Sequence, residues 1–153
     1  MLSFIRELAA LMAAPTISVD ELAARLGPVG QDHGPLAALD LRPTDPRLTD
    51  VKLFRDAAGA PTGVDLGVRG ADRPTVAQLA AAFGPYTKVW VSQPEMPPEL
   101  QFFAVVSSET QSTTLLATLG EVRPDLAQAP VAHVYLRRDA LGKAEVERVK
   151  HGK

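Results

Sequence analysis

A stretch that occurs twice constrains this chain more than any other feature: SVDELAARLGPV at residues 18–29 and TVAQLAAAFGPY at residues 75–86. Each copy specifies a helix together with both of its ends. Ser18 with Glu21, and Thr75 with Gln78, have the spacing of a capping box, in which a hydroxyl and the side chain three residues on satisfy backbone N–H groups left over at a helix start. Val19, Leu22, Ala23 and Leu26 correspond to Val76, Leu79, Ala80 and Phe83, and that spacing places four apolar side chains on one helical face. Gly27-Pro28 and Gly84-Pro85 stop each helix, glycine supplying a left-handed C-terminal residue and proline being unable to propagate the hydrogen-bond ladder.

Around these helices the chain reads as sheet. Residues 1–14 form a first amphipathic helix, with Ser3 as its expected N-cap and Ile5, Leu8, Ala9 and Met12 on its apolar face. Arg6 and Glu7 interrupt the apolar run, which sets this segment apart from a secretory leader. Residues 27–35, rich in glycine and proline, read as a loop, followed by a strand at 36–41. Segments 51–55 and 63–68 alternate around a turn at 56–59 and predict a hairpin, with Val51 and Leu53 on one face and Lys52 and Phe54 on the other. Strands are expected at 88–92, 100–107 and 113–119, with a short helix as the alternative for the last. After a loop at 120–130, residues 131–138 and 144–149 read as a closing hairpin.

The expectation is an α+β domain spanning 1–153, with two N-terminal helices and a third helix packed on one face of a mainly antiparallel sheet. A second internal match, VKLFRDAAG at 51–59 against VYLRRDALG at 134–142, keeps six of nine residues. Both matches occur in the order helix then hairpin, which suggests a tandem duplication with units 15–70 and 73–150. The chance alternative is that capping boxes and Asp-x-x-Gly turns recur in any Ala- and Leu-rich chain.

Composition narrows the function. Sixteen basic and 18 acidic residues, mixed along the chain, give a net charge of -2 and no field for nucleic acid or an anionic membrane. The helix at 18–26 resembles the first helix of a helix-turn-helix, but the Gly/Pro-rich segment after it leaves no place for a recognition helix. There is no cysteine, so disulfides, thiolate nucleophiles and Cys-ligated zinc are excluded. His33, His133 and His151 lack ligand spacing, and neither a phosphate-cradling glycine loop nor a G-x-S-x-G elbow is present. The reading is therefore a non-catalytic chain with no metal or cofactor, located in the cytoplasm, with no apolar run long enough to span a membrane.

Strand alternation supplies a candidate surface. If Val134 and Leu136 face the core with Val51 and Leu53, then His133, Tyr135 and Arg137 share the opposite face with Lys52 and Phe54. Tyr86, Lys88 and Trp90 alternate against Val89 and Val91 and are expected on the same open face. A face bearing Trp, Tyr, Phe and Arg has the composition of a protein-recognition surface, the partner being another protein or a second copy of this chain. The alternative is a small-molecule or catalytic site assembled from loops.

Val19, Leu22, Leu26, Gly27 and Pro28, with their counterparts Val76, Leu79, Phe83, Gly84 and Pro85, give a helix, a Gly-Pro stop and then strands, twice over. In this outline the chain resembles the β-lactamase-inhibitor-protein-like repeat. That resemblance implies two α/β units presenting a joined, aromatic-rich sheet to a partner protein. Those inhibitors are exported and use disulfides, whereas this chain has no cysteine, so what carries over is the tandem α/β binder. A secretion chaperone or a toxin-immunity protein shares the same content of elements.

Overall fold

The computed structural model describes residues 1–34, 37–89, 98–121 and 123–141. Trp90 and the strand expected at 144–149 lie outside them. The described residues form three helices, α1 (Leu2–Met12), α2 (Val19–Leu26) and α3 (Val76–Phe83), and one eight-stranded antiparallel sheet. The strands are β1 (Val29–Asp32), β2 (Leu39–Leu41), β3 (Leu48–Arg55), β4 (Pro61–Val68), β5 (Thr87–Val89), β6 (Glu99–Ser107), β7 (Gln111–Leu119) and β8 (Val131–Ala140). Their order across the sheet is β1-β2-β3-β4-β8-β7-β6-β5. Two four-stranded meanders, each preceded by one of the repeated helices, thus join through their last strands.

The helix ends follow the local chemistry of the sequence. Ser18 Oγ accepts from the Glu21 N–H at 3.1 Å, and at Thr75 both halves of the capping box form. Gly27 and Gly84 end their helices with φ of 142° and 90° and with ψ close to 180°, an extended mirror-image region that essentially only glycine occupies. The chain therefore leaves each helix directly into a strand and does not curl back in a left-handed cap. Ser3 is not the cap of α1. The Ile5 N–H already bonds to Met1 O at 3.0 Å, so the first turn closes ahead of Ser3, and burial of Phe4 and Ile5 sets where the helix begins.

One face of the sheet carries the core. Leu39, Leu53, Val64, Leu136 and Leu115 lie opposite one another on β2, β3, β4, β8 and β7, and all are buried beneath the helices together with Ile5, Leu8, Met12, Leu22, Leu26, Val76 and Leu79. Each such side chain contributes roughly 1.5–3 kcal/mol by leaving water. Two polar groups on this face anchor α1. Thr113 Oγ1 donates to Ala9 O at 2.8 Å, and the Arg138 guanidinium donates to the carbonyls of Met12, Ala14 and Pro15, satisfying acceptors that the end of α1 leaves over. Arg25 of α2 pairs with Glu7 of α1, while Arg6 of α1 bonds to Ala82 O and stands 5.0 Å over the Phe83 ring, so α1 bridges the two repeated helices.

Of three further expectations, two change and the strand at 113–119 holds. Residues 29–32, read as loop, form the edge strand β1; all four are exposed, so no alternation marks them, and only pairing with β2 makes them a strand. Segment 111–119 is a strand, because Thr113, Leu115 and Ala117 point to the core between β6 and β8. The match of 51–59 to 134–142 does not join equivalent positions. Asp56 opens a turn that closes on Gly59, whereas Asp139 is a buried strand residue opposite Ser112, and β3 and β8 hold different places in their meanders.

Candidate surface at the seam of the sheet

Because the core side chains of β2, β3, β4 and β8 point to the helices, their neighbours point away, and among the described residues no helix covers this outer face. Three rows cross it. Asp40, Lys52, Asp65 and Tyr135 lie opposite one another on β2, β3, β4 and β8. Phe54, Gly63, Arg137 and Thr114 form the next row, and Asp50, Gly67, His133 and Thr118 the one on the other side. The rows centre on the β4–β8 seam, where the two meanders meet.

Two glycines of β4 let long neighbours lean over the strand. A Cβ at Gly63 would stand 2.2 Å from the Tyr135 hydroxyl, and one at Gly67 would stand 2.1 Å from Asp50 Oδ1. Tyr135 therefore lies across β4 and meets Phe54 edge-on, with ring centroids 5.7 Å apart and planes at 64°. Partial burial pushes the Tyr135 hydroxyl pKa up. Beside it, Arg137 Nε donates to Asp139 Oδ1 at 3.0 Å, and the Thr114 hydroxyl donates to Asp139 Oδ2 at 2.8 Å, which partners a carboxylate only 1% exposed.

On the other side of Tyr135, His133 Nδ1 stands 3.7 Å from Asp65 Oδ1, and that nitrogen is buried with no hydrogen-bond partner among the described residues. Burial raises the Asp65 pKa, opposed by His133 and Lys52 and reinforced by Asp50. Asp40 is held by His33 Nε2 at 2.8 Å, and the Thr49 hydroxyl donates to Asp50 Oδ1 at 2.8 Å.

Of the residues that alternation placed on this face, Lys52, Phe54, His133, Tyr135 and Arg137 come together at the seam. Tyr86 and Lys88 do not join them. Lys88 pairs with Leu100, whose side chain is in the core, so it projects from the helix side at the far edge of the sheet. Tyr86 packs against the core ring of Phe102 at 5.5 Å. The phase of β5 is set by its partner β6, and three residues of edge strand are too few to declare it. Sequence reasoning missed Asp40, Asp50, Asp65 and Asp139; of these, Asp40 and Asp65 each sit between buried apolar neighbours, a signal that could have placed them on this face. They make the face mixed in charge, where its aromatic and basic members alone had been picked out.

An open cleft of about 560 Å³ lies on the helix side, lined by Phe4, Glu7, Arg25, Asp45 and Arg47. The Arg25 and Arg47 guanidinium groups stand 5.3 and 5.6 Å from the Phe4 ring centre, the first paired with Glu7 and the second with Asp45. Among the described residues no group of three His, Asp or Glu side chains could hold a metal ion, and no helix is long and apolar enough to cross a membrane. Comparison with protein-family models, with curated proteins and with solved structures finds no match to the chain.

Proposed function

We propose that this chain is a non-catalytic protein-binding domain, of the inhibitor, immunity or chaperone-like kind, acting in the cytoplasm and meeting its partner with the sheet face opposite the helices. The observation that carries the reading is the Phe54–Tyr135 pair, held over Gly63 at the centre of that face with Lys52 and Arg137 in the adjoining positions. A Tyr and a Phe locked by packing lose little side-chain entropy on association, and aromatic and Arg anchors dominate binding energy at protein interfaces. Placement at the seam adds support, since a partner there contacts both meanders at once. The likeness to the β-lactamase-inhibitor-protein-like repeat belongs to the same proposal, as does an origin by tandem duplication. What supports the duplication is the order helix then meander, taken twice, and the paired helix ends at Gly27 and Gly84.

The helix-side cleft supports a second reading, a small-molecule site. Its volume suits a ligand and its floor is aromatic, but both of its guanidinium groups are already neutralised by carboxylates, which ranks it below the sheet face.

A photo-crosslinking residue at position 52, in the middle of the outer face, tests the proposal against one at position 21 on the exposed side of α2. Crosslinking in the native source to a discrete protein, or to a second copy of the chain, from position 52 and not from position 21 is the expected result. Equal capture from both positions, or capture from 21 alone, removes the sheet face as the interface.

A further inference from the structure

The outer face presents two aromatic rings and, next to them on β4, a carboxylate that makes no hydrogen bond among the described residues. Asp65 is 28% exposed at its side chain, and among the described residues the nearest cation-forming group is His133 Nδ1, at 3.7 Å and beyond hydrogen-bond reach. Lys52 lies directly opposite Asp65 but makes no ion pair with it among the described residues. Asp50 adds negative charge from β3, leaning over Gly67, and Glu99 lies further along the His133 row beyond Thr118. Asp40, at the β2 end, is already held by His33. Tyr135 is the register partner of Asp65 across the seam, and its ring leans from there over Gly63, two residues before Asp65 on β4.

Resting on the protein-binding reading of the seam, we infer that this face receives a protein segment presenting a basic side chain, arginine or lysine, to Asp65 against the Tyr135 ring, and that protonated His133 competes with it. An N–H-rich cation satisfies the carboxylate, and an aromatic face beside it attracts the same charge. With Arg137 paired to Asp139 and Asp40 held by His33, Asp50 and Asp65 outweigh Lys52 in this patch and favour a basic partner over an acidic one. The competition arises from position: imidazolium at His133 is a counter-ion already within 4 Å of Asp65, so acidification supplies from within what the partner supplies from outside. The raised pKa of Asp65 agrees with this, because a carboxylate that burial disfavours in the free protein is relieved when a cation arrives.

The test is an amide-resolved NMR titration with a blocked Arg-Gly-Arg peptide and, separately, a blocked Glu-Gly-Glu peptide, near pH 8 and near pH 5.5. It uses wild-type protein, Asp65→Asn and His133→Gln, each checked for folding by a thermal melt. The basic peptide is expected to give saturable shifts centred on residues 65, 133 and 135. Binding weakens about fivefold or more in Asp65→Asn. It weakens on acidification in the wild type and clearly less so in His133→Gln. Shifts that are absent, that scatter over surface acids such as Glu21 and Asp125, that persist in Asp65→Asn, or that the acidic peptide reproduces overturn the inference. Equal acid sensitivity in His133→Gln overturns the competition. If crosslinking from position 52 captures a partner while the basic peptide fails, the sheet face stands as an interface and the basic-partner inference alone falls.

Discussion

Tyr135 reaches from β8 across Gly63 of β4, with its hydroxyl where a side chain at that position would begin. A methyl group cannot share the space, because a Cβ there would stand 2.6 Å from Tyr135 Cζ as well. Gly63→Ala is therefore expected to cost about 1–3 kcal/mol through overpacking. In a Tyr135→Ala background the same change should cost less than half as much, since the obstructing ring is gone. Urea denaturation of both single variants and the double variant reads the coupling directly. Additive losses would mean that Tyr135 does not lie over β4 in solution.

The two helix-stopping glycines should differ in tolerance. Both have positive φ, which strains any other residue by roughly 1–3 kcal/mol. A Cβ at Gly84 meets nothing within 4 Å, whereas one at Gly27 would stand 1.8 Å from Arg42 O in the connection after β2. Gly27→Ala is expected to destabilise more than Gly84→Ala, and equal midpoints in denaturant would contradict the close approach at Gly27.

Leu22 and Leu79, at matching places in the repeated helices, are both fully buried. Truncation of either to alanine should cost about 2–5 kcal/mol, the range for a large side chain removed from a packed core. A loss below about 1 kcal/mol at either site, measured by chemical denaturation, would take that helix off the sheet.

Asp65 should make stability depend on pH in the direction opposite to that of an ordinary salt-bridged carboxylate. Its folded pKa is raised above the usual aspartate value, chiefly by burial, so the folded state binds the proton more tightly than the unfolded chain. The Asp65 contribution is then most favourable below the unfolded pKa and is lost as pH rises through the folded one. Asp65→Asn should accordingly stabilise the protein at pH 7, with the gain shrinking as the wild-type carboxyl becomes protonated. A variant less stable than wild type at pH 7, or a gain that does not change between pH 7 and pH 3, would show that the carboxylate is not disfavoured by the fold.

The three helices, and the starts and stops of the two repeated ones, were legible in the sequence because the forces that set them are local. Capping at Ser18 and Thr75, the apolar face through Leu22 and Leu79, and the stops at Gly27 and Gly84 involve residues within one or two turns of one another. Strand alternation is equally local, and it assigned Lys52, Phe54, His133, Tyr135 and Arg137 to one face correctly. Apart from the β3–β4 hairpin, which the turn at 56–59 announces, the neighbours of each strand were decided only by the tertiary structure. Backbone N–H and C=O groups are chemically alike along every strand, so pairing carries no residue-level signature. It is set instead by how three helices and one sheet bury their apolar faces together. The β4–β8 seam, the exposed strand β1 and the phase of Lys88 in β5 all depend on that global packing. So do the contacts of residues far apart in the chain. Arg138 closes the end of α1, Tyr135 rests on Gly63, and Asp65 meets His133, none of which a period of two or of 3.6 residues could place.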